Sequence, residues 1–123
     1  MPLLTSQAKI KTTLSFAVTG TLTTGTDKAP TIVVPGTLEI IYVIIYVKTA
    51  PTGATIIVDV NKNGTTIFTT QGNRPTIPIG VQYNWSTTPD VTALIGGDFI
   101  TIDIDQIGSS VAGADLTVEV VCE

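Results

Sequence analysis

β-Branched side chains are the feature of this sequence that most restricts its fold. Thr occurs 23 times, Ile 16 times and Val 13 times among 123 residues. These side chains lose rotamer freedom in a helix and pack well on the pleated surface of a sheet. The chain has the length of one ordinary domain. We therefore predict a single all-β domain.

Apolar runs along the chain alternate with turns rich in Gly, Pro and Asn. This pattern predicts a two-sheet antiparallel sandwich, jelly-roll-like, with about eight strands. Residues 1–8 have no clear period and are predicted to form an N-terminal arm, so the sandwich spans residues 9–123. The predicted strands are Lys9–Thr19, Pro30–Gly36, Leu38–Lys48, Ala54–Asn61, Thr65–Thr70, Ile77–Val81, Phe99–Ile107 and Asp115–Cys122. Alternation along three of them predicts the inward residues Ile56, Val58, Val60, Ile100, Ile102, Ile104, Leu116, Val118 and Val120.

The strand predicted at Leu38–Lys48 is apolar at both its even and its odd positions. An antiparallel sheet normally keeps one face in water, so two apolar faces require a second covering layer. That layer is either a long loop or another subunit. The candidate subunit-interface residues are Tyr42, Ile44 and Tyr46, or the opposite set Ile41, Val43 and Ile45.

The dipeptide Asn63-Gly64 lies between two β-rich runs and predicts a tight hairpin turn. The segment Asp59–Gly64 also resembles the start of an EF-hand calcium loop. An EF-hand needs a bidentate Glu at its twelfth position, which is Thr70 in this chain. We therefore interpret the segment as a turn rather than a metal site.

Nothing in the composition supports catalysis. The chain has no His, so a Ser-His or Cys-His nucleophile pair and a His-ligated zinc are both excluded within one copy. The single Cys122 is interpreted as a structural residue, with an interchain disulfide as the alternative. We assign no catalytic residues and no cofactor, and we expect that the protein is not an enzyme.

Asp103 and Asp105 share one face of a predicted strand, roughly 7 Å apart by strand rise. With Glu119 or Asp59 on a neighbouring strand they would form a calcium site or a carboxylate pair. Alternating acids are also the ordinary way in which a solvated sheet face stays soluble. We favour that second interpretation and assign no metal ligands, although the sequence leaves a metal at Asp103 and Asp105 open.

The charge pattern excludes several partners. The formal net charge is −4, only 13% of residues are charged, and five Lys and one Arg are scattered. Nucleic acids and anionic membranes are therefore poor partners. The longest apolar run, Ile40–Val47, is far shorter than the ~20 residues of a membrane helix, and no secretion signal is evident at the start. Such low charge suits a surface that other subunits partly cover.

Two neighbouring aromatic residues provide the remaining candidate site. Tyr83, Asn84 and Trp85 fall in a predicted surface loop that runs to Asp90. Tyr and Trp in such a loop stack on sugar rings or anchor protein interfaces. A half-buried loop anchor is the alternative interpretation.

A set of turn and strand motifs covers roughly three-quarters of the chain: Gly20–Leu22, Ala29-Pro30, Val34–Gly36, Lys48–Ala54, Asp59 with Asn63–Thr65, Asn73–Ile77, Gly97-Asp98, Ile102–Gly108 and Ala112–Leu116. These motifs resemble those of small structural proteins and tail-tip domains of tailed bacteriophages. The resemblance implies a jelly-roll sandwich that assembles as a homotrimer on the virion.

Two roles follow from this resemblance. The first is a capsid decoration (cement) protein on the outer surface of the virion, made in the host cytoplasm, with the major capsid protein or other virion proteins as partners. The second is a receptor-binding tip of a tail fibre or spike that recognises a host-surface glycan. A tip usually ends a longer chain, whereas this sequence starts with Met and shows no shaft. We therefore expect a decoration protein, with the arm Met1–Gln7 as its capsid contact.

Overall fold

The computed structural model describes residues 11–123 of the chain. Within that range the protein has ten β-strands, one 3-10 helix at Gln71–Asn73 and no α-helix. The all-β prediction is therefore confirmed. The predicted arm at residues 1–8 lies outside the described residues, and so does the predicted start of the first strand at Lys9.

Five strands have seven or more residues and form most of the two sheets, while the other five have two or three residues. The count exceeds the predicted eight because two short segments outside the predicted strands also pair. In chain order the strands are β1 (Thr12–Thr21), β2 (Ile32–Val33), β3 (Leu38–Thr49), β4 (Ile56–Lys62), β5 (Thr65–Thr66), β6 (Thr76–Ile77), β7 (Tyr83–Trp85), β8 (Ala93–Leu94), β9 (Phe99–Gln106) and β10 (Ala114–Cys122).

The chain doubles back on itself as one antiparallel ribbon. β1 pairs with β10, β2 with β9, β3 with β7 and β8, and β4 with β5 and β6. Pairing of β10 with β3 and of β9 with β4 then rolls this ribbon into two sheets. The first sheet has the order β1-β10-β3-β7, with β8 also on β3, and the second has the order β2-β9-β4-β5, with β6 also on β4. This arrangement is that of a jelly roll, which confirms the predicted sandwich.

One hydrogen bond shows which edge strands of the two sheets lie next to each other. Asn84 of β7 donates through Nδ2 to the carbonyl oxygen of Thr76 in β6, at 3.0 Å. β7 and β6 therefore lie at the same edge in different sheets. β1 and β2 end their sheets at the opposite edge.

The hydrophobic core lies between the two sheets and follows the predicted alternation along β4, β9 and β10. Each of these strands sends every second residue inward, and the outward residues between them are mostly polar. The fully buried side chains of these three strands are Ile56, Val58, Val60, Ile100, Ile102, Ile104, Leu116, Val118, Val120 and Cys122. Burial of so many β-branched residues explains why their abundance predicts the fold class.

β3 departs from simple alternation because it contains a bulge. Val121 of β10 faces Tyr42, but the next residue of β10, Cys122, faces Ile40, so Ile41 is left without a cross-strand partner. An extra residue of this kind shifts the side-chain alternation by one position. Ile40 therefore points into the core before the bulge, and Val43 does so after it.

The bulge separates the two sets of predicted interface residues. Val43 and Ile45 are 0% exposed and belong to the core, so their assignment as interface candidates is wrong. Their neighbours Tyr42, Ile44 and Tyr46 lie on the outer side of β3 and are partly or largely exposed. Ile41 joins this outer set because of the bulge.

The β9–β10 turn depends on a residue without a Cβ at position 108. Gly108 donates its N–H to the Ala112 carbonyl at 3.0 Å, and a Cβ built on it would overlap the carbonyl oxygen of Val111. We expect Gly108→Ala to lower the free energy of unfolding by about 1–3 kcal/mol, the usual cost of overpacking. Chemical denaturation measures this loss.

The matched control is Gly72→Ala in the 3-10 helix, where an added Cβ meets open space. We expect its free energy of unfolding to remain within about 0.5 kcal/mol of the parent value, as for ordinary surface substitutions. Equal losses in both variants would contradict the steric explanation.

Candidate functional site: the aromatic face

The segment predicted as a surface loop begins instead with a strand. Tyr83–Trp85 forms β7 and pairs with β3, with Tyr83 opposite Tyr46 and Trp85 opposite Ile44. The loop prediction was wrong here because three residues carry too little pattern to reveal a strand that a distant partner stabilises. The consequence is that the two predicted candidate sets lie side by side on one sheet.

The outer side of β3 and β7 forms a continuous apolar surface, which we call the aromatic face. Its exposed rings include Trp85, which is 58% exposed, and Tyr83, which is 55% exposed. The centroids of these two rings are 6.0 Å apart and their planes are tilted by 41°. Such a tilted pair at this separation is a favourable aromatic geometry. The residues of the aromatic face are Ile41, Tyr42, Ile44, Tyr46, Tyr83 and Trp85.

Asn84 differs from its two aromatic neighbours. It points away from the aromatic face, since its Nδ2 binds the Thr76 carbonyl of the other sheet and its Oδ1 accepts the Trp85 N–H at 2.9 Å. Its side chain therefore holds β7 in place rather than offering a ligand contact. The predicted ligand-contact set is thus reduced to Tyr83 and Trp85.

A groove of about 450 Å³ runs along the aromatic face between β3 and the segment that follows β7. Ser86 closes its floor, because its Oγ accepts the Val43 N–H at 3.0 Å and donates to the Thr87 carbonyl at 2.7 Å. The groove has no charged side chain in its lining. The lining residues are Ile41, Tyr42, Ile44, Trp85, Ser86, Thr87 and Thr88.

These observations bear on the predicted covering layer of β3. Residues 86–88 line the groove beside β3, and nothing in the Ser-Thr-Thr sequence indicates this position. Trp85 and Tyr83 remain uncovered within residues 11–123. The rest of the outer surface of this sheet is formed by β10 and β1, with small uncharged residues and Glu119.

The acidic residues of the second sheet are held by hydrogen bonds. Asp59 is buried beneath Thr66, whose Oγ1 donates to its Oδ1 at 2.6 Å. Asp103 accepts the Nδ2 of Asn61 at 2.8 Å, and Asp105 forms an ion pair with Arg74 at 2.7 Å. Among residues 11–123 no group of three acidic, Cys or His side chains is placed to hold a metal ion.

A second exposed apolar patch lies on the other sheet. Val33 of β2 and Phe99 of β9 face each other across the ladder, and Phe99 is 54% exposed. Ile95, in the preceding turn, is exposed as well. The predicted inward position of Ile100 already implied that Phe99 points outward, so the sequence contained the signal for this patch.

Asp98 stabilises the turn that carries Ile95. Its Oδ2 accepts the Ile95 N–H at 2.9 Å, its Oδ1 accepts the Asn63 Nδ2 at 3.0 Å, and the Lys62 ammonium lies 3.8 Å away. These hydrogen bonds, that of the Ile95 backbone first, hold the pKa of Asp98 below its usual range. Asn63 itself has a positive φ of 51° and precedes Gly64 at 84°, which confirms the predicted hairpin turn.

Cys122 offers no nucleophile. Its side chain is fully buried in the core, and burial raises the pKa of the thiol to about 11. At neutral pH the thiol therefore stays protonated, and the thiolate is the nucleophilic form. Within residues 11–123 no helix is long and apolar enough to cross a membrane.

Comparisons with known proteins find likenesses among solved structures. No protein-family model and no curated protein matches the chain. Among solved structures, it is similar to a chain described as "Cyanophage Pam1 capsid asymmetric unit", with 19% sequence identity and a TM-score of 0.48. The match covers 92% of this chain and 82% of that chain. At this identity and TM-score the likeness assigns neither a family nor a role.

The contribution of Asp98 to stability depends on pH. Because its pKa is lower in the folded protein than the unfolded value of about 3.9, its contribution is present above that value and is lost as pH falls through the folded pKa. We expect Asp98→Asn to be less stable than the parent at neutral pH, with the difference shrinking in acid. Thermal unfolding across pH measures this.

Glu39→Gln removes the same charge at an exposed position whose backbone exchanges hydrogen bonds with the backbone of Glu123. We expect it to change the neutral-pH stability less than Asp98→Asn does. A difference between Asp98→Asn and the parent that stays constant down to the lowest pH would contradict the proposed role of the carboxylate.

Proposed function

We propose that this chain is a structural protein of a bacteriophage virion that decorates the outer surface of the capsid and cements its shell. In this proposal it assembles as a homotrimer through the aromatic face. The single observation that carries the proposal is the exposure of Trp85, Tyr83 and Tyr46 together on one sheet. The proposed role agrees with the one implied by the turn and strand motifs of the sequence.

The first argument is the cost of leaving the aromatic face in water. A Trp or Tyr side chain buries about 150–250 Å² when it is covered, and apolar burial contributes about 25 cal/mol per Å². Aromatic residues are also enriched at the centres of protein interfaces, where they dominate the binding free energy. A covered aromatic face therefore supplies a strong driving force for assembly.

The second argument is the low charge of the aromatic face, which has the carboxylate of Glu119 as a neighbour on β10, opposite Ile44. None of the aromatic face residues is charged, and the groove beside them has only hydroxyl groups as polar side chains. Elsewhere the carboxylates of the protein are engaged by groups of the same chain. Six of the seven Asp side chains accept hydrogen bonds within the chain: Asp59, Asp90, Asp98, Asp103, Asp105 and Asp115.

The third argument concerns mechanism. A cement protein acts by burying surface against its neighbours and tying them together, and this needs no reacting group. The absence of His from the sequence and the buried thiol of Cys122 agree with such a role. We propose that the protein acts without catalysis, with the major capsid protein as a partner. The predicted capsid contact, the arm Met1–Gln7, lies outside the described residues.

A second candidate function is supported by the groove. A glycan-binding tip would stack a sugar ring on Trp85 and use the hydroxyls of Thr87 and Thr88 as hydrogen-bonding groups. The same ring cannot be buried in a trimer and stacked on a sugar, so the two functions are distinguishable. Saturable binding on a glycan array that Trp85→Ala abolishes would favour this second function.

The trimer is tested by placing a charge on the aromatic face. We expect Trp85→Lys to lose the three-fold assembly of the parent, because a buried unpaired ammonium is far more costly than an exposed one. Sedimentation velocity or light scattering measures the mass. The fold is expected to persist, since the Trp85 ring is largely exposed.

The matched control is Phe99→Lys, which changes a comparably exposed aromatic residue on the other sheet. We expect its mass to equal that of the parent. A monomeric parent, or a trimer lost in Phe99→Lys and kept in Trp85→Lys, would overturn the assignment of the interface.

The location on the particle is tested by imaging. In a cryo-electron microscopy reconstruction of the virion that contains this chain, we expect density for the jelly roll on the outside of the capsid shell. Removal of the protein is expected to lower the temperature at which the particles release their DNA. Density at the tail tip, or none on the head, would reject the cement function in favour of the second candidate.

A further inference from the structure

The edges of the two sheets are unequal. Three of the four edges formed by residues 11–123 consist of strands of only two or three residues, namely β2, β5 with β6, and β7 with β8. The fourth edge is β1, with ten residues. Its residues 12–19 make backbone hydrogen bonds only in the ladder with β10 within the described residues. Among residues 11–123, one side of β1 therefore presents a long row of N–H and C=O groups without backbone partners.

β1 also lacks the usual protection of an edge strand. Natural proteins guard exposed edges with short strands, charged residues, proline or bulges. The strand Thr12–Thr21 contains neither a charged residue nor a proline, and its irregularity lies beyond Val18. Its outward residues Thr13, Ser15 and Ala17 are small, uncharged and exposed. Residues 12–18 therefore form a regular edge that is open to another strand.

We infer that this edge is an interaction surface, and that residues 12–18 of β1 pair antiparallel with the same residues of a second copy of the chain. Pairing about Ser15 places Thr13 opposite Ala17 on the outer side. On the inner side it places Leu14 opposite Phe16. The first sheet then continues across the contact with both cores on the same side.

A second copy is the occupant because the edge is self-complementary. Two identical strands related by a two-fold axis exchange N–H···O=C bonds in both directions, as an isologous contact requires. No like charges face each other along Thr12–Val18. In this register Lys11 lies opposite Thr19, next to Gly20, whose N–H binds the Asp115 carboxylate at 2.7 Å. The two ends of the contact therefore place a positive group near a negative one.

This contact is independent of the aromatic face. β1 and β7 are at opposite edges of the first sheet, with β10 and β3 between them. One copy can therefore use both surfaces at once. Failure of the proposed trimer leaves the β1 contact unaffected, and the reverse also holds.

The test is a lysine on the outer side of the edge, Ala17→Lys, in the full chain. Two such ammonium groups would face the opposing strand, so we expect the dissociation constant of the β1 contact to rise by at least about tenfold. Sedimentation equilibrium over a range of concentrations measures this. The matched control is Asn73→Lys, which changes an exposed residue of the 3-10 helix between β5 and β6. Its dissociation constant is expected to equal that of the parent.

Hydrogen exchange gives a second readout. The amides of residues 12–18 that face away from β10 are expected to exchange more slowly in the associated parent than in Ala17→Lys at the same concentration. Amides of β10 serve as the internal reference, because that strand is paired on both sides. This protection is expected to survive in Trp85→Lys, which separates the β1 contact from the trimer.

Three results would overturn the inference. One is a parent whose mass is independent of concentration and whose outward amides at residues 12–18 exchange freely. Another is self-association that Ala17→Lys and Asn73→Lys leave equally unchanged. The third is loss of protection at residues 12–18 in Trp85→Lys, which would assign the association to the aromatic face alone.

Discussion

The double pairing of β3 is the constraint on which the rest of the structure depends. β10 occupies one side of this strand, while β7 and β8 share the other. The strand must also turn Ile40, Val43 and Ile45 into the core, although a bulge lies between the first two. Because both alternating sets are apolar, the strand satisfies the core on one side and still presents apolar residues on the other.

The aromatic face follows from that arrangement. The bulge directs Ile41 and Tyr42 outward together, and pairing with β7 places Trp85 beside Ile44. Neither step requires a ligand or a reacting group. The groove beside the face is closed by the hydroxyl of Ser86, which serves as an acceptor for the Val43 N–H. A sheet edge, a bulge and one hydroxyl thus account for the geometry of the whole candidate site.

The sequence could predict those parts of the fold that depend on residues close together along the chain. Asn63-Gly64 specifies its own turn through backbone conformation, and the alternation at Ile100, Ile102 and Ile104 specifies which side of β9 is buried. The bulge in β3 could not be predicted, because a shift of one residue exchanges one apolar set for another. β7 was missed because its three residues form a strand only against β3, which lies far away in sequence.

The residues of the candidate site could be predicted from the sequence, but their arrangement on one face could not. Tyr42, Ile44, Tyr46, Tyr83 and Trp85 were all recognisable as residues that prefer a partner, since large apolar side chains stood where a solvated surface was expected. Their union into one face depends on the β3–β7 register, which no local pattern contains. The opposite set stayed open in the sequence because both sides of the strand are apolar. The structure places its members Val43 and Ile45 in the core, and the bulge moves only Ile41 to the outer side.

The unusual charge content of the chain has a physical explanation in this structure. The aromatic face and the open side of β1 are both uncharged, and they occupy the two edges of a single sheet. A charged residue on either edge would protect it from association at little cost to the fold, because those positions are exposed. Their lack of charge is therefore not required by the jelly roll itself. In the proposed assembly, the contact through the aromatic face closes a ring of subunits and the β1 contact joins that ring to its neighbours. Two such contacts extend the assembly over a surface instead of ending it in a closed particle, and uncharged edges permit both.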